Sequence, residues 1–95
     1  MSKINLEGSR LVLSGHLDLD SLMAYKKEIE QTVPAEEELV VELGGLEIEG
    51  SAVIALLVFM LRRSKSAGGT LKFESASERL VAMASLAGLV DLLGF

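Results

Sequence analysis

The chain has 95 residues, of which 49% are hydrophobic, a formal net charge of −5 at pH 7 and no cysteine. This length predicts one domain with a modest core, and the hydrophobic fraction excludes a disordered tail. The acidic balance and an aromatic content of 4% disfavour a nucleic-acid partner, and the lack of cysteine excludes a disulfide framework and a thiolate metal site.

Two strands are predicted first. Ile4 and Leu6 alternate with polar residues, Leu11 and Leu13 flank Val12, and Gly8-Ser9 between them is typical of a tight turn. The second strand is expected to end at Gly15. The opening stretch MSKINLEGSR has no long apolar run, so no signal peptide is predicted and a cytosolic location is expected.

The next segments predict a helix and then a buried strand. Apolar residues fall at helical spacing after a cluster of capping residues, and Pro34 ends the helix. The stripe is Leu22, Tyr25 (or Lys26), Ile29 and Val33, and the caps are Asp18, Asp20 and Ser21. The β-branched segment LVVEL, residues 39–43, follows a polar linker and precedes Gly44-Gly45, as a buried strand would.

The second half of the chain repeats this alternation. Ser51 and Ser77 are predicted N-caps of two further helices, which end at Gly68-Gly69 and Gly88. The segment TLKFES between them is a fourth strand, and LVDLLGF is one helical turn or an extended tail. The order β-β-α-β-α-β-α predicts an α/β domain with a four-stranded mixed sheet, about three helices and one parallel βαβ unit.

The helix that follows Ser51 is apolar all round. Its run of ten uncharged residues, Ala52 to Leu61, is too short to span a bilayer. The stripe Ile54, Leu57, Val58 and Leu61 is predicted to face the sheet, which places Val53, Leu56, Phe59 and Met60 on the flanks or the far side. We expect that side to bind a protein partner, because so small a domain cannot hide every apolar side chain; the alternative is that loops and the C-terminal tail cover it.

A family resemblance rests on three segments. The element order, the stretch LVVELGGLEIEGSA that runs into an apolar helix, and the stretch TLKFESASERLVAMASLAGLVDLL together resemble the STAS domain. That family includes anti-sigma factor antagonists and the small cytosolic subunit of the Mla-type phospholipid ABC transporter of bacteria. The segment LSGHLDLDSL is similar to the transporter branch. The resemblance implies one STAS-like domain over residues 1–95 that binds proteins.

The same resemblance points to the loop before the second helix. There the family pattern is Asp-Ser/Thr-Ser/Gly-Gly-Leu; its first hydroxyl is the phosphoacceptor in sigma-regulating members and, as Thr, matters for ATPase binding in transporter members. The positions that match it here are, in order, Glu49, Gly50, Ser51, Ala52 and Val53. Gly50 therefore stands where the acceptor would be, which disfavours a phosphorylation switch. Ser51 is interpreted first as a helix cap, second as a partner contact and last as a phosphoacceptor.

Other chemistries receive little support from the sequence. Asp20-Ser21-Leu22 is similar to the attachment site of acyl carrier proteins, but those are all-helical and strands are predicted here. The glycines of GLEIEGS lack the lysine of a phosphate-binding loop. His16 is the sole histidine, and capping accounts for Asp18 and Asp20, so we expect no metal site. No nucleophile–base pair emerges, and neither catalysis nor a cofactor is predicted.

Two partners remain open. The first expectation is a non-enzymatic accessory subunit that docks on the ATPase of a phospholipid-transport ABC system, peripheral to the inner membrane. The alternative is an anti-sigma factor antagonist that binds a kinase-type anti-sigma factor. In either case the predicted interface comprises Glu47, Glu49, Gly50, Ser51, Val53, Leu56, Phe59 and Met60.

Overall fold

The computed structural model describes residues 3–95, which form one four-stranded sheet and four helices. The strands, in chain order and in sheet order, are β1 (Lys3–Glu7), β2 (Arg10–Leu17), β3 (Glu38–Ile48) and β4 (Thr70–Glu74). The helices are α1 (Leu22–Thr32), α2 (Ala52–Ser66), α3 (Glu78–Leu86) and α4 (Val90–Leu93). β1 is antiparallel to β2, whereas β2, β3 and β4 run parallel. The predicted mixed sheet, element order and βαβ unit are confirmed.

The two central strands are longer than predicted. β2 continues beyond Gly15, and β3 runs through Gly44 and Gly45. The parallel ladder shifts register between Val12 and Ser14 of β2, where β3 accommodates one extra residue. At this irregularity the Gly44 N–H donates to Glu42 Oε1 at 2.9 Å, and a Cβ at Gly44 would lie 2.9 Å from the same oxygen, so a larger residue would require the Glu42 side chain to move. The ladder then extends to the β3–α2 connection.

One hydrophobic core lies between the sheet and the helices. From the strands it takes Leu11, Leu13, Leu17, Leu39, Val41, Leu43 and Phe73, and from α1 it takes Leu22, Tyr25 and Ile29. The buried Tyr25 satisfies its hydroxyl by donating to the carbonyl of Ser14 at 2.6 Å. Among residues 3–95, no helix is long and apolar enough to cross a bilayer.

The buried face of α2 agrees with the predicted one only in part: Leu57 and Leu61 are buried as predicted, but the other two residues of the predicted stripe are not. Its buried residues are Ala52, Val53, Leu56, Leu57, Met60, Leu61 and Ser64, whereas Ile54 and Val58 are only half-buried. Both stripes follow helical spacing, because the helix is apolar on every side, so periodicity alone cannot fix which side turns inward. The expectation that Val53, Leu56 and Met60 lie on the exposed side was wrong: they are 0%, 0% and 3% exposed.

Candidate docking surface

The loop that enters α2 is anchored at the carboxyl ends of β2 and β3. The Glu49 N–H donates to the carbonyl of Leu17 at 3.0 Å, which fastens the start of the loop to β2. Gly50 follows with φ +68°, in the left-handed region that favours glycine. A hydroxyl-bearing residue at this position would have a strained backbone, although no atom obstructs its Cβ. The backbone itself therefore accounts for Gly50 at the position that matches the family's acceptor.

Ser51 occupies the N-cap position of α2, as predicted, but the predicted side-chain cap was wrong. Its backbone, at φ −100° and ψ 8°, lies outside the extended region that directs an N-cap hydroxyl into the helix, and the side chain makes no capping bond. The Ser51 carbonyl instead accepts the Ile54 N–H at 3.1 Å. Ser77 provides the contrast: with ψ 159° its hydroxyl accepts the Leu80 N–H at 3.1 Å, which confirms the predicted cap of α3.

An open apolar groove begins at Ser51 and runs between α2 and α3. We call it the α2–α3 groove; it has a volume of about 610 Å³ and is lined by Ser51, Ile54, Ala55, Val58, Met83, Leu86 and Ala87. Leu86 projects almost completely into solvent, at 92% exposure. Arg79 on α3 donates to the carbonyl of Ile48 at 3.1 Å, which fixes α3 beside the end of β3. The groove therefore adjoins the loop that enters α2.

A second depression lies on the other side of α2. This α1–α2 groove has a volume of about 490 Å³ and is lined by Lys26, Ala55, Val58, Phe59, Arg62, Arg63 and Ser66. The Lys26 ammonium lies 5.3 Å from the centroid of the half-buried Phe59 ring, a cation–π geometry. Phe59 is therefore the one predicted apolar anchor on α2 that remains partly accessible, and it faces a cationic groove.

The structure divides the predicted interface into three groups. The first group lies together at the entrance of α2 and is exposed: Glu47, Glu49, Gly50 and Ser51. The second group is Phe59 alone, which is half-buried further along the helix. Val53, Leu56 and Met60 belong to the core, so their side chains cannot contact a partner directly. The sequence analysis missed Ala55, Met83 and Leu86 as surface residues. Leu86 carried a usable signal, because it is not at the helical spacing of Leu80 and Ala84, the buried residues of α3.

A polar cluster forms where the loop meets the end of β2. His16 Nε2 lies 2.8 Å from Glu49 Oε2 and 3.4 Å from Asp18 Oδ2, and His16 Nδ1 lies 4.0 Å from Glu47 Oε2. We call these four residues the His16 cluster. The hydrogen bond with Glu49 is the largest cause that raises the pKa of His16 above its ordinary value of 6.5; desolvation opposes it, and the charges of the three carboxylates add to the rise. One ligand atom from each of His16, Asp18 and Glu49 lies within 4.8 Å of the others, a grouping that has the size to hold a cation.

Asp18 and Ser21 stabilise the turn into α1 reciprocally. The Ser21 N–H donates to Asp18 Oδ1 at 2.9 Å, while the Asp18 N–H donates to Ser21 Oγ at 3.0 Å. These bonds with Ser21, followed by the charge of His16, hold the pKa of Asp18 below its usual value of 3.8. Ser21 also donates to the carbonyl of His16 at 3.0 Å and makes no capping bond into α1. Its hydroxyl thus stabilises the turn instead of presenting a free attachment site.

Comparison with known proteins agrees with this architecture. Residues 2–94 match the family model described as "Mlab, STAS domain". The chain therefore belongs to the STAS domain family, whose members generally act as non-enzymatic modules that bind other proteins. No curated protein matches the sequence.

Two solved structures share the fold at low sequence identity. An anti-sigma factor antagonist from Mycobacterium paratuberculosis aligns with a TM-score of 0.60 and 19% identity, over 97% of this chain and 80% of that one. A protein titled Mglu aligns with a TM-score of 0.59 and 18% identity, over 80% of this chain. This chain spans only 20% of the length of Mglu. At these identities the two structures show the fold alone.

Proposed function

We propose that this protein is an accessory STAS subunit that docks on the ATPase subunit of a phospholipid-transport ABC system. The observation that carries the proposal is the open apolar α2–α3 groove, which begins at Ser51 and continues to the exposed Leu86. A contiguous apolar groove of this kind is typical of a protein-binding surface, because water-exposed apolar area is otherwise unfavourable. The docking surface comprises this groove and the loop of residues 47–51.

Two observations favour the transporter class of partner. The matching family model is described by the name Mlab, and the resemblance of LSGHLDLDSL points to the same branch. The left-handed Gly50 fits a surface that docks without phosphorylation, because the position that matches the acceptor has no hydroxyl. In this proposal the protein is cytoplasmic and reaches the inner membrane only through the transporter.

The chemistry of the surface limits the kind of partner segment that fits. Glu47 and Glu49 border the loop end, together with Asp18 and Asp20 of the neighbouring turn. A partner segment with apolar anchors for the groove and a cationic end for this acidic border would match both features. A highly acidic segment would meet like charge at the loop and bind less tightly.

An anti-sigma factor antagonist is the second candidate. The antagonist from Mycobacterium paratuberculosis covers 97% of this chain, and Ser51 is exposed at the entrance of α2, where a kinase has access. The two candidates predict different chemistry at the same loop. An antagonist would be controlled by phosphorylation of Ser51, whereas a transporter subunit would bind with Ser51 unmodified.

The experiment is a calorimetric titration of the purified protein with the two kinds of partner from the same organism. We expect saturable binding to the ATPase subunit of the phospholipid transporter and no binding to a kinase-type anti-sigma factor. In parallel, incubation with that kinase and ATP should leave the intact mass unchanged. Stoichiometric phosphate on Ser51, with binding to the kinase only, would overturn the proposal in favour of the antagonist.

A further inference from the structure

A smaller cavity lies between α2 and α4, besides the two grooves. We call it the α2–α4 cavity; it has a volume of about 300 Å³ and is lined by Val58, Leu61, Arg62, Lys65, Leu89 and Leu92. Small-molecule sites are typically lined by apolar side chains with a few polar groups that orient the ligand. The α2–α4 cavity has this composition, because four of its six lining residues are aliphatic and the other two are cationic.

The lining residues of α2 change from apolar to cationic along the helix axis. Val58 lies four residues before Arg62, and Leu61 lies four residues before Lys65. Residues three or four apart lie on the same side of a helix, about one turn from each other, so all four share one side of α2. An aliphatic wall is therefore followed by a pair of cations, an order that matches a ligand with an apolar tail and an anionic head.

The opposite wall of the cavity is α4, which packs on the core through its other side. Leu93 is 4% exposed and belongs to the core, whereas the neighbouring Leu92 is 46% exposed and lines the cavity. After α4 the Phe95 N–H donates to the carbonyl of Val90 at 3.0 Å, and the Phe95 ring meets the Phe73 ring edge to face with centroids 6.2 Å apart. These contacts hold α4 beside α2 and leave Leu92 available to a ligand.

The two cations of the cavity lie at its solvent edge without a partner. Within residues 3–95, Arg62 and Lys65 are exposed, and neither forms an ion pair or a side-chain hydrogen bond. Other cations of the chain are engaged: Arg63 donates to the carbonyl of Val33 at 2.6 Å, and Arg10 pairs with Glu74 at 2.9 Å. None of the six lining residues is acidic. Positive charge beside apolar surface is therefore left for an external anion.

We propose that the α2–α4 cavity binds the anion of a free fatty acid. The alkyl chain packs against Val58, Leu61 and Leu92 and removes their apolar surface from water. The carboxylate lies at the solvent edge, where the planar guanidinium of Arg62 matches its two oxygens and Lys65 adds a second positive charge. A cavity of about 300 Å³ accommodates one alkyl chain and not a folded protein segment. The proposal does not depend on the docking partner, because this cavity shares only Val58 with the α2–α3 groove.

An NMR titration of the full chain with decanoate, below the concentration at which decanoate forms micelles, tests the proposal. We expect saturable shifts of the methyl groups of Leu61, Leu89 and Leu92. Octanoate should bind more weakly, by roughly twofold to fourfold for each CH₂ group removed, because less apolar surface is buried. Decanol, which has the same chain without the charge, should bind at least about threefold more weakly than decanoate.

Four results of this titration would overturn the proposal. The first is the absence of saturable shifts with decanoate. The second is equal affinity for decanoate and octanoate, and the third is decanol binding as tightly as decanoate. The fourth is a set of shifts centred on Leu86, because the chain would then occupy the α2–α3 groove.

Matched variants separate the cavity from general attraction between charges. Arg62→Gln and Lys65→Gln should each weaken decanoate binding by roughly threefold and leave the melting temperature and the affinity for decanol unchanged, because both side chains are exposed. Lys72→Gln is the control, since Lys72 is an exposed cation on β4 that lines neither this cavity nor the two grooves. Equal losses in Lys65→Gln and Lys72→Gln would overturn the proposal, as would full affinity in both cavity variants.

Discussion

The two sides of α2 have similar composition but different surroundings. On the inner side, Val53, Leu56 and Met60 are covered by the rest of the core, and none is more than 3% exposed. On the outer side, Ile54 and Val58 border a groove that α3 leaves open. The composition therefore predicts an apolar helix, but the packing of the neighbouring elements determines which of its residues are buried in the core and which are available to bind a partner. Substitutions on the two sides should consequently have separable effects.

The largest effect is expected on the inner side. Leu56→Ala removes a fully buried side chain and should lower the free energy of unfolding by about 2–5 kcal/mol, because it leaves a cavity in the core. Urea denaturation followed by circular dichroism measures this change. The affinity of the fraction that stays folded should be close to that of the wild type. A variant as stable as the wild type would contradict the assignment of this side to the core.

The next effect is expected at the groove. Leu86→Glu should leave the stability almost unchanged because Leu86 is 92% exposed, yet it should weaken docking on the ATPase subunit by roughly 1–3 kcal/mol. Calorimetric titration gives the affinity, and the melting temperature reports the fold. Met23→Glu is the matched control, since Met23 is also a large exposed residue, at 69%, but lies on α1 outside both grooves. Equal losses in the two variants would argue against a groove-specific contact.

A smaller effect distinguishes the two serines that precede helices. Ser77→Ala should cost about 0.5–2 kcal/mol of stability, because it removes the bond from the Leu80 N–H. Ser51→Ala should cost less than about 0.5 kcal/mol, because Ser51 makes no side-chain capping bond. Thermal unfolding of the two variants in one buffer makes the comparison. A larger loss at Ser51 would mean that its hydroxyl caps α2 after all.

The smallest effect is a pH dependence of stability. Because the folded pKa of His16 is raised above 6.5, its contribution to stability is complete below 6.5 and disappears as the pH rises through the folded value. The melting temperature of the wild-type protein should therefore be higher than that of the His16→Gln variant in mildly acidic buffer. This difference in melting temperature should shrink in alkaline buffer. A difference that stays constant across this range would show that the ring contributes through packing alone.

Much of the fold could be predicted because local signals agree with one another. Alternating residues marked β1 and β2, and helical spacing with capping residues marked α1 and α3. The length of the central strands could not be predicted, since Gly44 and Gly45 are typical of a turn but here accommodate an irregularity in a parallel ladder. The pairing of β2 with β3 through these glycines depends on tertiary contacts, which cannot be read from the local sequence.

The candidate site could be predicted only in part. The loop at Glu49 and Gly50 came from the family resemblance, but the side of α2 that faces outward depends on where α3 packs. The contact of His16 with Glu49 was missed because it joins positions far apart in sequence through the register of two parallel strands. Ser51 was assigned a capping bond from its residue type, whereas the backbone angles decide whether that bond forms.

The account depends most on the claim that the α2–α3 groove and the adjoining loop form the docking surface. Amide hydrogen exchange, compared between the free protein and its complex with the ATPase subunit, tests this claim most directly. The account predicts that added protection concentrates in the loop of residues 47–51, the first turns of α2 and the last turn of α3 around Leu86. Added protection confined to the edge strands β1 and β4, with none at the groove, would contradict the account.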